Sequence, residues 1–200
     1  RIALIGTGAV GRGILEAMSR KDLGIVLTGV ADSRSGLIHP DGLAPADLLH
    51  RKRETGLVGD LSCTAHDVVF NAPYDVLVEV SPTDAQSGEP ATTYMRTALS
   101  RGCHVVTSNK GPVALHYHDL KEEADKAGVS FRFEATVAGA IPILHTLLES
   151  LGGNEIHALY GVLNGTCNYI LTRMAEEGLS YKQALDEARA LGYAEADPTY

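Results

Sequence analysis

The sequence is poor in cysteine, and its cysteines follow no metal-binding or paired pattern. It contains 3 cysteines among 200 residues, and no two of them form a C-x-x-C spacing. An odd number of isolated cysteines argues against a disulfide framework, and the missing spacing argues against a structural zinc site. Cys63, Cys103 and Cys167 are therefore expected to be reduced thiols, as is typical of a protein of the cytoplasm.

The sequence also lacks an excess of basic residues and a long apolar run. Its formal net charge of −8 argues against nucleic acid as the main partner, because phosphate binding requires clustered lysine and arginine. No stretch approaches the roughly 20 apolar residues of a membrane-spanning helix, and no signal peptide is visible. Hydrophobic content of 44% and charged content of 21% are typical of soluble globular proteins, so no membrane partner is expected.

Strand-like and helix-like segments alternate from the N-terminus. Ile2–Ile5 and Ile25–Ala31 are strand-like, and Ala9–Arg20 between them has helical spacing, as in a right-handed parallel crossover. Further strands are predicted at 75–80, 104–107 and 130–133, and further helices at 46–54, 90–101 and 112–127, with 33–62 otherwise irregular. This alternation predicts an α/β fold, a Rossmann-type doubly wound parallel sheet.

The pattern changes near Glu134, where we place a boundary between a domain of residues 1–134 and one of residues 135–200. Beyond it, the periodicity predicts a helix at 143–151, a strand at 155–163 and helices at 168–177 and 181–191, which makes an α+β domain. Ser180 and Gln183 form a capping-box pattern ahead of the last helix. The chain has no initiator methionine and ends just after an Asp-Pro turn, so we expect the second domain to be truncated at its C-terminus.

A glycine-rich turn joins the first strand to the first helix. In the motif G-x-G-x-x-G, Gly6 permits the tight turn, Gly8 lets the backbone approach a pyrophosphate, and Gly11 lets the helix pack close to the sheet. Asp32 ends the second strand about 20 residues further on, where a carboxylate accepts from a ribose hydroxyl. The cofactor-binding candidates are Gly6, Thr7, Gly8, Ala9, Val10, Gly11 and Asp32. The alternative is a structural turn that binds nothing.

The choice between NAD and NADP stays open at this point. Asp32 favours NAD, whereas Arg34 is placed to pair with the 2′-phosphate of NADP. Lys52 would assist if its helix folded over the adenosine. The alternative for both cations is a solvated surface position, and for Lys52 that is the favoured interpretation.

Polar residues follow two further predicted strands. Ser81, Pro82 and Thr83 lie past a strongly apolar strand, where ligands of open α/β sheets bind; the alternative is an ordinary proline turn. Lys110 comes just before a helix whose first residue is predicted to be Pro112. A cation there opposes the positive end of the helix dipole, which favours a lysine of lowered pKa and hence a function.

The second domain contains three weaker candidates. Asn164-Gly165-Thr166 ends a strand-like run and opens a helix, so free backbone N–H groups there favour an anion. Residues 137–141, after Glu134, can turn backbone carbonyls toward a cation, although such loops more often allow close packing. Residues 193–197 offer a phenol and two carboxylates for an amino group, but a polar turn is the favoured alternative.

Taken together, these motifs resemble those of the homoserine dehydrogenases. The segments that carry the resemblance, in the family's order, are 6–11, 107–112, 134–142, 164–171 and 192–198. The resemblance implies interconversion of L-homoserine and L-aspartate 4-semialdehyde with NADP or NAD, in threonine, methionine and isoleucine biosynthesis. It also implies a cytoplasmic homodimer or homotetramer, with a Rossmann domain and a domain for substrate binding and dimerisation.

The resemblance also implies roles for individual residues. Residues 6–11 and 81–83 would hold the cofactor, and Lys110 would lie between nicotinamide and substrate. The implied homoserine pocket is lined by Gly165, Thr166, Tyr193 and Glu195, of which Glu195 joins Lys110 as catalytic. A sodium-type cation would take oxygens from around Glu134, Val137, Gly139 and Ile141.

The family pattern continues beyond the Asp-Pro turn with a further aspartate and a second lysine, the residue usually assigned as the acid/base. The sequence ends at Tyr200, so full catalysis by these residues alone is not expected. Two alternatives remain. One is another Rossmann-type amino-acid or semialdehyde dehydrogenase, and the other is an NAD(P)-binding module without catalysis.

Overall fold

Six strands in the first part of the chain form one sheet, which is parallel except at one edge. The computed structural model describes residues 1–162 and 164–194. The strands are β1 (Ile2–Ile5), β2 (Leu27–Ala31), β3 (Gly36–Ile38), β4 (Val76–Glu79), β5 (His104–Thr107) and β6 (Phe131–Arg132). Their order is β3-β2-β1-β4-β5-β6, with β3 antiparallel to β2. The chain reverses its direction across the sheet between β1 and β4, so their carboxyl ends flank a topological switch point.

Helices cover both faces of this sheet. They are α1 (Ala9–Arg20), α2 (Pro45–Thr55), α3 (Ala65–Asn71), α4 (Ala91–Ser100) and α5 (Lys110–Ala127). One apolar cluster joins the sheet to α1 and α2 through Leu15 and Leu49, and a second joins it to α3, α4 and α5 through Met95 and Leu120. Every residue of β1 and β2 is buried, as expected for parallel strands covered on both faces. The predicted doubly wound α/β fold is confirmed.

The burial of large side chains stabilises this arrangement. Leu4, Leu77 and Leu99 are fully buried, and each such side chain contributes about 1.5–3 kcal/mol relative to its exposed state.

The predicted helix at 46–54 is confirmed as α2, which is one residue longer at each end. Its last turn ends at Gly56, which adopts the left-handed conformation with φ of 72°.

Two elements of the first part are absent from the sequence-based prediction. The short strand β3 lies at the sheet edge, and its three residues show no alternation long enough to detect. The helix α3 has only 7 residues, but Thr64 and Asp67 form a full capping box at its N-terminus. That box uses aspartate instead of the usual glutamate or glutamine, so the common capping-box pattern does not match it.

The remaining helices belong to the second part of the chain. They are α6 (Ile143–His145), continued by π-helical residues Thr146–Ser150, then α7 (Gly165–Glu177) and α8 (Tyr181–Ala190). Ile170 of α7 packs against Ala184 and Ala188 of α8, and the capping box of Ser180 and Gln183 is confirmed. By internal contacts, the chain divides into two units, Arg1–Thr136 and Val137–Tyr200.

The predicted strand at 155–163 is wrong over residues 155–162, which adopt no regular structure. Leu159, Tyr160 and Val162 are largely exposed. A strand requires a partner edge, and residues 137–162 and 164–194 contain no other strand to provide one.

Among the described residues, none of the helices has the length and apolar content that crossing a bilayer requires.

Candidate cofactor and active site

The glycine turn lies at the carboxyl end of β1, against the residues that follow β4. Gly6 has φ of 100°, and a Cβ atom there would lie 2.5 Å from the carbonyl oxygen of Val80. A Cβ at Gly11 would lie 2.0 Å from the carbonyl oxygen of Gly6, so α1 packs directly on the turn. A Cβ at Gly8 would meet nothing within 4 Å. Gly6 and Gly11 therefore shape the turn, whereas Gly8 keeps its open side clear.

The N-terminus of α1 faces this open side. Gly8 is the N-cap, and no side chain in the described part of the chain caps the helix. Val10, in the first turn, is 51% exposed although it is apolar. Uncapped N–H groups and the positive end of the helix dipole favour an anionic group at this position.

Asp32 lies just past β2 and accepts hydrogen bonds on both carboxylate oxygens. Oδ1 accepts from the backbone N–H groups of Arg34 at 2.8 Å and Ser35 at 2.9 Å. Oδ2 accepts from the hydroxyl of Thr7 at 3.3 Å and from the ammonium of Lys52. Asp32 thus connects the glycine turn to α2.

The ionisation of Asp32 follows from these contacts. Partial burial raises its pKa, but hydrogen bonds from Lys52, Arg34 and Ser35 outweigh that effect, so the pKa lies below its ordinary value. Asp32 is therefore a carboxylate at neutral pH, with the Lys52 ammonium as its counter-ion.

The favoured interpretation of Lys52 as a solvated surface cation is wrong. Its side chain is only 22% exposed and also donates to the carbonyl of Gly56 at 3.0 Å. The Arg34 guanidinium donates to the same carbonyl. Both cations are thus held at one place, beside Asp32, because α2 packs on α1 and ends at Gly56.

A hydrogen-bond network joins the residues that follow β4 and β5. The hydroxyl of Thr83 donates to Asn109 Oδ1 at 2.8 Å. Asn109 Nδ2 donates to the carbonyls of Ser81 at 3.3 Å and Pro82 at 3.5 Å. The amide of Ser81 is bound within the network and Pro82 has no amide, so this turn offers few donors to a phosphate. It suits the ribose or nicotinamide part of a dinucleotide better.

Lys110 is the first residue of α5 and is exposed. The prediction that the helix begins at Pro112 is wrong, because Asn109 is the N-cap and Pro112 lies within the first turn. Proline is tolerated there because the first N–H groups of a helix have no intrahelical partner. The Asn109 side chain does not cap the helix, since it is engaged by the network that follows β4 and β5.

Glu79, the last residue of β4, belongs to this network and was missed by sequence reasoning. It is completely buried, and it accepts from Ser81 and Thr107. The available signal was an acidic residue at the end of an otherwise apolar strand, just before the Ser-Pro-Thr turn.

The second unit brings two of its predicted site residues together. Asn164 is the N-cap of α7, and its Oδ1 accepts from the Cys167 amide at 2.8 Å. The hydroxyl of Thr166 donates to the backbone carbonyl of Tyr193. Gly165 is exposed as the first helical residue. Glu195 lies outside the described residues.

The predicted cation ligands surround a turn of unusual backbone. Glu134 begins a 3₁₀ turn, and Ala138 and Gly139 both lie in the left-handed region, with φ of 55° and 59°. The carbonyl of Ile141 accepts from the amide of Ile143 at 2.9 Å. Among the described residues, no group of three or more His, Cys, Asp or Glu side chains could hold a metal ion. Any ion here would depend on backbone oxygens.

Comparisons with known proteins agree over the whole chain. One family model, described as homoserine dehydrogenase, NAD binding domain, matches residues 6–134, and another, described as homoserine dehydrogenase, matches residues 142–200. The chain is 42% identical to the homoserine dehydrogenase of Methanocaldococcus jannaschii, covering 99% of this chain and 62% of the relative. It is 38% identical to the NAD(+)-dependent homoserine dehydrogenase of Pseudomonas canavaninivorans, covering 100% of this chain and 60% of the relative.

Solved structures show the same similarity. The homoserine dehydrogenase of Thermoplasma acidophilum has a TM-score of 0.85 at 32% identity, covering 99% of this chain and 62% of that chain. A hyperthermophilic archaeal homoserine dehydrogenase mutant in complex with NADPH has a TM-score of 0.85 at 29% identity, covering 99% and 63%. The chain spans about 60% of the length of these two curated relatives from M. jannaschii and P. canavaninivorans.

Proposed function

The chain belongs to the homoserine dehydrogenase family, and we propose that the whole protein interconverts L-homoserine and L-aspartate 4-semialdehyde with a nicotinamide cofactor. The observation that carries this proposal is the meeting of three segments at the carboxyl ends of β1, β4 and β5. These are the glycine turn, the Ser81–Thr83 turn and the segment that leads into Lys110. A ligand laid across a topological switch point would touch all three.

The proposal divides the work between the two units. The first unit would bind the dinucleotide, with the pyrophosphate at the uncapped N-terminus of α1 and the nicotinamide end toward Ser81, Pro82 and Thr83. The second unit would bind the amino-acid substrate and form the dimer contact. We retain residues 1–134 and 135–200 as the proposed limits of these domains.

Lys110 is the proposed acid/base group on the described part of the chain. A bound nicotinamide supplies the hydride chemistry of the reaction. Oxidation of the alcohol also releases the hydroxyl proton, which needs a base held at the substrate. Lys110 is exposed in the first turn of α5, and Asn109, which precedes it, contacts the Ser81–Thr83 turn, which supports this role. Glu195 is proposed to assist catalysis from the substrate side.

We propose NADP as the preferred cofactor, with NAD as the alternative. Both oxygens of Asp32 already accept hydrogen bonds, so a ribose hydroxyl would compete with Lys52 for this carboxylate. The cations Lys52 and Arg34 lie beside it and match a 2′-phosphate in charge. The preference is read from the ratio of kcat/KM for NADP⁺ and NAD⁺.

The homoserine pocket is proposed to include Gly165, Thr166, Tyr193 and Glu195. The amide of Gly165 opens α7 and suits the substrate carboxylate, whereas Glu195 suits its ammonium group. The bond between Thr166 and Tyr193 would hold the two sides of this pocket together.

A sodium-type cation is proposed near Glu134, with backbone oxygens of Val137, Gly139 and Ile141 as ligands. Its support is the left-handed conformation of Ala138, a strained backbone of the kind found at functional sites, next to the left-handed Gly139. Activity that is equal in sodium chloride and in choline chloride would contradict it.

Assembly as a homodimer or homotetramer in the cytoplasm is also proposed, and light scattering of the purified protein would report its size.

The decisive test is turnover by the full-length protein. Homoserine with NADP⁺ or NAD⁺ is expected to increase the absorbance at 340 nm, and the product is expected to be L-aspartate 4-semialdehyde. A flat trace with both cofactors would reject the proposal. Cofactor binding without turnover would identify a nucleotide-binding module, and turnover of a different amino alcohol would identify another dehydrogenase of Rossmann type.

A further inference from the structure

A buried carboxyl group lies between two turns of the proposed active site. One is the Ser81–Thr83 turn, and the other is the segment that leads into Lys110. Glu79 is 0% exposed at the end of β4. Hydroxyl and amide groups surround it, and within residues 1–162 and 164–194 no cation pairs with it. Burial raises the pKa of Glu79 above its ordinary value, and the hydrogen bonds that it accepts from Ser81 and Thr107 offset this effect only in part.

The two carboxyl oxygens of Glu79 bind different turns. Oε1 accepts from the amide of Ser81 at 2.9 Å and from its hydroxyl, and Oε2 accepts from the hydroxyl of Thr107 at 3.3 Å. Thr107 in turn accepts from the amide of Asn109 at 2.9 Å. Asn109 Nδ2 closes the circuit on the carbonyl of Ser81.

This circuit links the phosphate end of the site to Lys110. On one side, the backbone of Gly6 lies against the Val80–Ser81 peptide. The hydrogen bonds that hold Ser81 therefore also hold the peptide on which the glycine turn packs. On the other side, Asn109 is the N-cap of α5 and directly precedes Lys110. The Glu79 side chain contacts Ser81 of one turn and Thr107 beside the other.

We infer that Glu79 is a positioning residue that sets the spacing between the glycine turn and Lys110, an inference that rests on the proposed function. Stability alone does not call for a polar network at this place, because apolar groups of the same shape can replace both partners of a buried hydrogen bond at little cost. Its location between two ligand-facing turns points to alignment of the reacting groups, where a misplacement of about 1 Å can reduce the rate roughly a hundredfold.

A carboxyl group fits this position better than an amide. Hydrogens from the Ser81 amide, the Ser81 hydroxyl and the Thr107 hydroxyl converge on its two oxygens. In Glu79→Gln, one oxygen still accepts from Ser81, but the NH₂ group faces the Thr107 hydroxyl, which would have to accept instead of donate and would leave its own hydrogen without an acceptor at a buried position. The Gln variant therefore keeps the Ser81 link and weakens the Thr107 link, whereas Glu79→Ala removes both.

The test compares Glu79→Gln and Glu79→Ala with Thr28→Val in the full-length protein. Thr28 is equally buried and donates to the carbonyls of Ile2 and Pro73, near the start of β1 and ahead of β4, so its loss reports only on stability. Amide hydrogen exchange is measured without cofactor for peptides that contain residues 81–83 and 107–110. Thermal unfolding of each variant shows that it is folded.

We expect Glu79→Gln to accelerate exchange at 107–110 about tenfold while 81–83 stays protected, and Glu79→Ala to accelerate both. Glu79→Gln should also lower kcat about tenfold or more with little change in the cofactor KM. Unchanged exchange in both Glu79 variants, or equal acceleration by Thr28→Val, would overturn the inference. If the parent protein lacks homoserine turnover, the proposed function fails, and the exchange data still decide whether Glu79 positions the two turns.

Discussion

The ammonium group of Lys52 on α2 pairs with the carboxylate of Asp32 at the carboxyl end of β2. The carboxylate is 9% exposed and the lysine 22%, so solvent screens this pair less than the surface pairs of the protein. The position of Asp32 is the one at which a Rossmann fold distinguishes NAD from NADP. The position of α2, which carries Lys52, is therefore expected to influence which cofactor binds at Asp32.

Replacement of Lys52 by alanine is expected to change cofactor preference. The variant loses a cation for the 2′-phosphate and frees the Asp32 carboxylate to accept from a ribose hydroxyl. One charged hydrogen bond contributes about 1.5–3 kcal/mol, so NADP⁺ affinity should fall about tenfold or more. NAD⁺ affinity should stay within about threefold of its original value or improve. Fluorescence titration with NADPH and NADH, which carry the same 2′ groups as the oxidised cofactors, measures this discrimination.

Lys126→Ala is the matched control for Lys52→Ala. Lys126 forms a surface pair with Glu122 on α5, so its loss changes the net charge equally without touching the cofactor region. An equal loss of affinity for both cofactors in Lys52→Ala would show that Lys52 does not discriminate between them.

Three glycines of the first helical segment are expected to respond differently to alanine. Gly11→Ala creates a severe overlap with Gly6 and should destabilise the protein by about 1–3 kcal/mol or more. Gly13→Ala meets open space inside α1 and should stabilise it by roughly 0.5–1 kcal/mol. Gly8→Ala should fold normally but bind cofactor weakly, because its methyl group would stand where the backbone approaches the pyrophosphate.

Thermal unfolding and cofactor titration of the three variants test this division of roles. Gly13→Ala serves as the control, since it adds the same methyl group on the same helix. Full cofactor affinity in Gly8→Ala would contradict the placement of the pyrophosphate at the open side of the turn.

Much of this part of the site follows from the sequence, and the reason is local. Gly6, Gly8 and Gly11 act through backbone conformation and close approach, which a short motif specifies. Lys52 and Glu79 could not be assigned in the same way, because their roles depend on contacts across 20 or more residues with Asp32 and Thr107. The strand expected at 155–163 failed for a related reason, because apolar residues alone do not provide a pairing partner.

The stability of the protein is expected to fall in acid partly through Asp32. Its pKa is lowered in the folded state, so ionised Asp32 stabilises the fold above its ordinary pKa of about 4. That contribution is lost as the pH falls through the lower folded-state value. Denaturation midpoints of the parent protein should therefore decrease more between pH 5 and about pH 3 than those of Asp32→Asn.

Asp41→Asn is the control for this measurement, because Asp41 is exposed and distant in sequence from the glycine turn. It should leave the acid limb of the parent curve nearly unchanged. Parallel curves for the parent and Asp32→Asn would show that the Lys52 pair contributes little to stability.

Replacement of Lys110 by alanine should separate turnover from binding. Lys110 is exposed, and removal of a cation from a helix N-terminus stabilises by about 0.3–1 kcal/mol, so the fold should persist. Loss of a positioned acid/base group should reduce kcat by about 10²–10⁴ while cofactor affinity stays close to normal. Stopped-flow absorbance and NADPH titration measure the two quantities, and normal turnover would remove the proposed role.

In the second unit, the bond between Thr166 and Tyr193 ties the first turn of α7 to the residues after α8. Thr166→Val keeps the shape of the side chain but removes the hydroxyl, which leaves the Tyr193 carbonyl without this donor. A neutral hydrogen bond contributes about 0.5–1.5 kcal/mol, so the KM for homoserine should rise roughly threefold to tenfold. The KM for the cofactor should not change, because the proposed dinucleotide site lies on the first unit.

Two further variants decide whether the hydroxyl itself matters. Thr166→Ser retains the donor and should restore the homoserine KM to within about twofold of its original value. Thr172→Val makes the same substitution further along α7 and should leave both KM values unchanged. If Thr166→Val raises the cofactor KM as much as the homoserine KM, the turn at Asn164 contributes to general stability, and its assignment to the substrate pocket is rejected.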